Sequence, residues 1–159
     1  MLLVQKKNLN TPEQKGQELG CSRGGLSSKI HVLCDTLGRP LRFFITAGQT
    51  SDYKKALDLI DGKKGKVLIA DKGYDATYII EKVKELGMKP LIPLRSNRKN
   101  QRKYNKELYK KRNLIERMFN KMKHFRRVAT RYDKLATSFL SFVHIAGISL
   151  WLNFSVNTT

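Results

Sequence analysis

KVLIADKGYDA, residues 66–76, runs a short apolar segment into an aspartate, a glycine and a second aspartate. An unbroken run such as KVLIA suits a strand buried on both faces, the pattern of a central position in a sheet with helical cover. A carboxylate at the end of such a strand has two readings. Asp71 either turns the chain ahead of Gly73 or presents oxygen ligands to a metal ion. Asp75 suits the N-cap of a helix over ATYIIEKVKEL, residues 76–86, which Gly87 closes.

Upstream of this stretch, SKIHVLC (28–34) and PLRFFITA (40–47) are β-branched and aromatic runs on either side of DTLGR, whose Asp35 and Gly38 suit a tight connection. They predict a hairpin. SDYKKALDLIDG (51–62) predicts a helix capped by Ser51 or Asp52 and stopped at Gly62. Downstream, KPLIPL (89–94) reads as a strand kept short or at an edge by Pro90 and Pro93. Hairpin, helix, central strand, helix, strand and further helices together predict a mixed α/β sheet with helical cover. Residues 1–27 read as an irregular lead-in with Gly20, Gly24 and Gly25 in a loop, and residues 28–159 as one folded domain.

The chain carries 32 Lys and Arg against 13 Asp and Glu, a formal net charge of +19 on 159 residues. That excess is far beyond what solubility needs, and it repels itself unless a polyanion is near, so the expected partner is nucleic acid. The weaker rival is a membrane surface. Its best segment, LATSFLSFVHIAGISLWLNF (135–154), is interrupted by Thr137, Ser138, Ser141, His144, Gly147 and Ser149, and reads as a core helix. No secretory signal opens the chain, which predicts an intracellular, nucleoid-associated protein. Cys21, His31 and Cys34 fit no common zinc spacing and read as packing residues.

From Arg95 to Arg112 there are nine Lys or Arg against one acid, Glu107. This run leads into a helix predicted from near Asn105 to about His124, with no Pro or Gly between. At about 100° per residue, Tyr109, Arg112, Glu116 and Lys123 share an arc of roughly 60°. Ile115, Met118, Phe119 and Met122 occupy a separate face for burial. Glu116 alone reads equally well as a surface carboxylate paired at i,i+4 with Arg112.

The spacing Tyr-x2-Arg-x3-Glu-x6-Lys resembles the signature helix of the DDE transposases of bacterial insertion sequences. GCSRGGLSSKIH, GRPLRFFITAGQTSD, ADKGYDA, IPLRSNRKN and YKKRNLIERMFNKMKHFRRVATRYDKLA, in that order, resemble the catalytic domain of insertion-sequence-five-like transposases, and the resemblance spans Gly20 to Leu152. It implies a ribonuclease-H-like fold. It also implies that Asp71 is the second acid of a catalytic triad and Glu116 the third, both of them metal ligands and both catalytic. Two Mg²⁺ or Mn²⁺ ions about 4 Å apart would activate the attacking oxygen and neutralise the leaving one. Arg112 and Lys123 would hold DNA phosphates, with Tyr109 positioning or stacking. Arg95, Arg98, Lys99, Arg126 and Arg127 are the further expected DNA contacts, and Ser22, Arg23 and Lys29 are weaker ones. The implied partners are transposon ends and target DNA, with a homo-oligomer as the working enzyme and no membrane.

The first acid of this family lies on the first strand, upstream of a segment resembling LVQKKNLNTPEQKGQELGCSRGG. In this chain Met1 falls near that point. The expectation is therefore an incomplete first strand, either a decayed fragment or one frame of a frameshifted product, and a chain that by itself does not carry out strand transfer. The rival expectation is a non-enzymatic basic DNA-binding protein that occupies transposon ends. A basic RNA-binding protein would explain the charge but not the ordered acids.

Overall fold

The computed structural model describes residues 2–4, 8–10, 20–22, 25–95, 104–133 and 135–156. In chain order these form β1 Leu2–Val4, β2 Asn8–Asn10, β3 Gly20–Ser22, β4 Gly25–Cys34, β5 Pro40–Ala47, α1 Ala56–Ile60, β6 Val67–Ile69, α2 Thr77–Glu85, β7 Lys89–Leu91, α3 Lys106–Lys110, α4 Asn113–Met122, α5 Arg126–Ala129 and α6 Ala136–Val156. Single 3₁₀ turns, Asp52–Lys55 and Lys72–Tyr74, precede α1 and α2.

The predicted hairpin is β4 and β5, antiparallel from Ser28↔Ala47 to Cys34↔Pro40. Asp35 makes its turn: one carboxylate oxygen accepts the N–H groups of Leu37 and Arg39, each at 2.9 Å, and the other pairs with Arg39 Nε at 2.6 Å. Gly38 supplies the left-handed residue at φ 82° that a side chain would strain. Along the other edge of β4 lie β1 and β2, both antiparallel to it. β1 then pairs parallel with β6 through Leu2↔Ile69, and β6 pairs parallel with β7. The main strand order is thus β5-β4-β1-β6-β7, with β2 and β3 added along β4. The described parts of the first 27 residues enter the sheet: Gly20 and Gly25, expected in a loop, begin β3 and β4, and β1 stands at the sheet's centre.

Alternation along the strands divides the core in two. Ile30, Val32, Cys34, Phe43, Ile45 and Ile69 pack with Ile115, Met118, Phe119 and Met122 of α4 and Phe139, Val143, Ala146 and Leu150 of α6. Leu33, Leu68 and Ala70 face the other way, onto Leu59 and Ile60 of α1 and Ile79, Ile80 and Val83 of α2. The helices therefore cover both faces of β6, as its unbroken apolar run requires. β7 pairs with β6 at the end of the main strand order, in keeping with its Pro90, and Pro93 lies beyond it.

Two helices differ from expectation at their starts. Ser51 precedes a 3₁₀ turn without capping it, and α1 proper begins at Ala56. α2 has Ala76 at its N-cap with no side-chain bond, because the carboxylate of Asp75 is buried and turned to the backbone N–H of Arg95, at 3.1 Å. The long helix predicted from Asn105 does begin there, Asn105 accepting from Leu108 N at 2.9 Å, but it divides into α3 and α4. Residues 111–112 close i→i−3 bonds, Lys111 N to Leu108 O and Arg112 N to Tyr109 O, the tighter 3₁₀ pattern.

α6 packs one face on the sheet. Its Gly147 lies so close to Phe43 that an added Cβ would meet the ring at 2.8 Å. The indole of Trp151 donates to Pro40 O at 2.7 Å, and the Arg39 guanidinium lies 4.2 Å from the indole centre. Residues Ala136–Asn153 are long and apolar enough to cross a membrane, with mean hydropathy 1.3, yet Phe139, Val143, Ala146 and Leu150 are core residues of the domain.

Candidate active site at the end of β6

Val67 and Ile69 pack with the α4 side of the core, and Leu68 and Ala70 belong to the other. Asp71 comes next in the first series. It has extended backbone angles, φ −71° and ψ 160°, so the strand's alternation carries its side chain toward the face that α3 and α4 cover. The turn reading of Asp71 holds as well: Oδ1 accepts the N–H of Lys72 at 2.6 Å and caps the 3₁₀ turn. Capping engages one oxygen of two, so it does not compete with a role as a ligand.

The turn that follows Asp71 is tied down from several directions. Tyr74, fully buried, places its hydroxyl 3.1 Å from Nδ1 of His31 on β4, and Nε2 of His31 lies 2.8 Å from the hydroxyl of Thr46 on β5. Asp75 accepts from Arg95 N. The Arg95 guanidinium donates to the carbonyls of Lys72, at 3.4 Å, and Gly73, at 3.1 Å. It also lies 6.0 Å from the ring centre of Tyr53.

Glu116 stands on α4, half-exposed, and accepts from Arg112 Nη2 at 2.6 Å. This is the i,i+4 surface pair that its spacing allows. The 3₁₀ step at residues 111–112 eclipses i and i+3, which brings Arg112 over Tyr109, its guanidinium 5.8 Å from the ring centre. Tyr104 meets the same ring edge-on at 5.5 Å. Burial pushes the Tyr109 phenol above its ordinary pKa; Arg112 opposes the rise, and Asp71, Tyr104 and Glu116 add to it. One phenol thus feels both carboxylates and the guanidinium. It remains a protonated hydrogen-bond donor at neutral pH.

The other predicted contacts fall in different places. Lys123, at the C-cap of α4, donates to Asn120 Oδ1 at 3.0 Å. Arg126 and Arg127 are exposed on α5, the first 5.8 Å from the Tyr132 ring centre and the second 4.5 Å from that of Phe142, with Arg127 3.4 Å from Asp133. Lys29 turns inward instead, 8% exposed, and donates to Thr50 O at 2.7 Å. Arg23, Arg98 and Lys99 lie outside the described residues. The sequence reading missed Arg131, buried at 1% exposure, which donates to Ser28 Oγ and to Asp133 O and stacks on Phe139. It also missed the His31–Tyr74 contact. A polar residue at an inward position of an apolar strand was the available signal for His31, whereas Arg131 sits in a run of cations with nothing to distinguish it.

Asp71 and Glu116 supply carboxylate oxygens, the donors that Mg²⁺ and Mn²⁺ accept, and both retain some exposure. Among the described residues no three of His, Cys, Asp and Glu gather as a metal-binding group. Two carboxylates nevertheless fit an ion that keeps several waters and takes the rest of its shell from phosphate oxygens.

Residues 3–151 match the family described as Transposase DDE domain. A protein of Brucella ovis, named as a candidate transposase for insertion sequence element IS6501, is 37% identical over 132 residues, which cover 80% of this chain and 99% of that protein. A second, from Burkholderia cepacia and named likewise for insertion sequence element IS402, is 30% identical over 121 residues, 69% of this chain and 55% of that protein. The chain thus spans nearly all of one relative and about half of the other. No solved structure matches it. These similarities favour a catalytic role over that of a non-enzymatic DNA-binding protein, and the chain belongs to the transposase DDE domain family.

Proposed function

We propose that the protein is the catalytic domain of an insertion-sequence transposase that cuts and joins DNA by metal-dependent phosphodiester chemistry, with Asp71 and Glu116 as two of its metal ligands. The observation that carries this reading is the placement of the two acids on one side of the sheet: the strand's alternation turns Asp71 toward the face that α4 covers, and Glu116 stands on α4, with Tyr109, raised in pKa chiefly by burial, also under the influence of both carboxylates. The strand order β5-β4-β1-β6-β7, with an antiparallel hairpin on one side and parallel strands on the other, supports a ribonuclease-H-like fold.

A bound divalent ion, or a pair of them, would lower the pKa of a water and offset charge on the leaving oxygen. The chain's own residues supply the rest. Asp71 and Glu116 would hold the ion from a strand end and a helix flank. Arg112 fixes the orientation of the Glu116 carboxylate and places positive charge where a phosphate would enter. Tyr109 offers a neutral donor to a phosphate oxygen. Lys123, Arg126 and Arg127 add to the basic surface that attracts the DNA backbone.

The test is Mg²⁺- or Mn²⁺-dependent cleavage of insertion-sequence end DNA. Asp71→Asn and Glu116→Gln should each lower cleavage by about 10³-fold, roughly 4 kcal/mol of transition-state stabilisation, with DNA affinity retained. Full activity of Asp71→Asn would remove the metal assignment. Loss of DNA binding in Glu116→Gln would make that residue structural.

A further inference from the structure

Arg95 opens the basic run and by composition alone is a phosphate contact, yet its side chain, though exposed, is bonded to the turn that carries Asp71. Its N–H holds the buried carboxylate of Asp75, and its guanidinium holds the carbonyls of Lys72 and Gly73, the two residues after Asp71. Three bonds from one residue thus span a five-residue turn. We infer that Arg95 is a positioning residue for Asp71, which keeps the turn closed so that the carboxylate stays aimed at the face covered by α3 and α4, and that it is not a contact to DNA.

The physical case is the division of labour among its donors. A guanidinium engaged by two carbonyls has donors left, but swinging to a phosphate would abandon both carbonyls, whereas a surface cation without such bonds gives up nothing comparable. Asp71 gains from the restraint because its own cap bond to Lys72 N depends on the turn keeping its shape. Partners of a ligand that fix its orientation typically change metal affinity by about 10- to 100-fold.

The inference rests on the metal role proposed for Asp71, and the experiment separates the two. Mn²⁺ binding to the full chain is followed by loss of the free-ion electron paramagnetic resonance signal, and DNA binding by its dependence on salt. Arg95→Ala should weaken Mn²⁺ binding by about 10-fold or more while leaving the slope of log affinity against log salt unchanged. Arg95→Lys, which can satisfy one carbonyl, should recover part of the Mn²⁺ affinity, and it stands in for the alanine variant if that variant fails to give a cooperative melt. Unchanged Mn²⁺ affinity in Arg95→Ala, with a salt slope smaller by about one, would overturn the inference in favour of a phosphate contact. If Asp71→Asn lowers Mn²⁺ affinity and neither Arg95 variant does, the positioning role alone fails. If Asp71→Asn has no effect either, the metal assignment falls and takes this inference with it.

Discussion

The turn at Asp71 and the helix flank at Glu116 carry the same functional group under opposite mechanical conditions. Asp71 ends a strand with helices on both sides, and the residues after it are bonded to β4 through Tyr74 and His31 and to the chain beyond β7 through Asp75 and Arg95. Glu116 is half-exposed, and the partner found for it is Arg112, on its own helix. The first carboxylate is set by tertiary structure and the second by a local pair. A carboxylate of the first kind resists displacement; one of the second kind can turn when phosphate competes for the same guanidinium.

His31→Ala gives the sharpest test of this contrast. It would open a space under the turn and leave the hydroxyls of Tyr74 and Thr46 without that partner, at a cost of about 3 kcal/mol. A fall in Tm of roughly 6–12 °C by calorimetry is expected for a chain of this size. A change of only a degree or two would show that the turn is not held from β4.

Tyr74→Phe keeps the ring and removes one bond, so about 1–2 kcal/mol is expected in a denaturant titration, with an unchanged m-value. Gly147→Ala probes α6, which shares the α4 side of the core but packs at the β5 end of the sheet. The new methyl must displace Phe43, costing about 1–3 kcal/mol by overpacking, with no effect on Mn²⁺ binding, because β4 and β1 separate the strand of Phe43 from β6. Lost Mn²⁺ affinity in that variant would mean that the helical cover and the turn are not independent. Glu116→Ala, by contrast, should shift stability by no more than about 0.5–1 kcal/mol, the range of a surface ion pair, while abolishing metal-dependent cleavage. A larger loss of stability would give Glu116 a structural load and erase the contrast.

Much of the fold was legible because it rests on local signals. The apolar runs around Asp35 and Gly38 predict β4 and β5, and Gly62 and Gly87 end their helices with φ of 65° and 72°. The burial of Ile115, Met118, Phe119 and Met122 follows from their 3.6-residue spacing. The central place of β1 was not legible in its residues, since a run as short as Leu2–Val4 shows no period and its pairing is set by partners 30 and 67 positions away. The site was readable as two acids and a cationic helix face. The use of Arg95 and Asp75 was not, because a guanidinium bonded to carbonyls and one facing solvent have the same sequence. The division between α3 and α4 was hidden likewise: neither Lys111 nor Arg112 disfavours an ordinary helix.

The position of β1 between β4 and β6 also governs the order of assembly. β4 and β5 are joined by a five-residue connection and can zip soon after they are made, but among the described strands β6 and β7 join them in the sheet through β1, whose parallel pairing with β6 sets Leu2 against Ile69. Closing so large a loop is slow compared with forming a hairpin. During synthesis the two halves of the sheet would therefore exist for a time as separate pieces with open edges, and the Asp71 turn would take shape only when a three-residue wedge joins them.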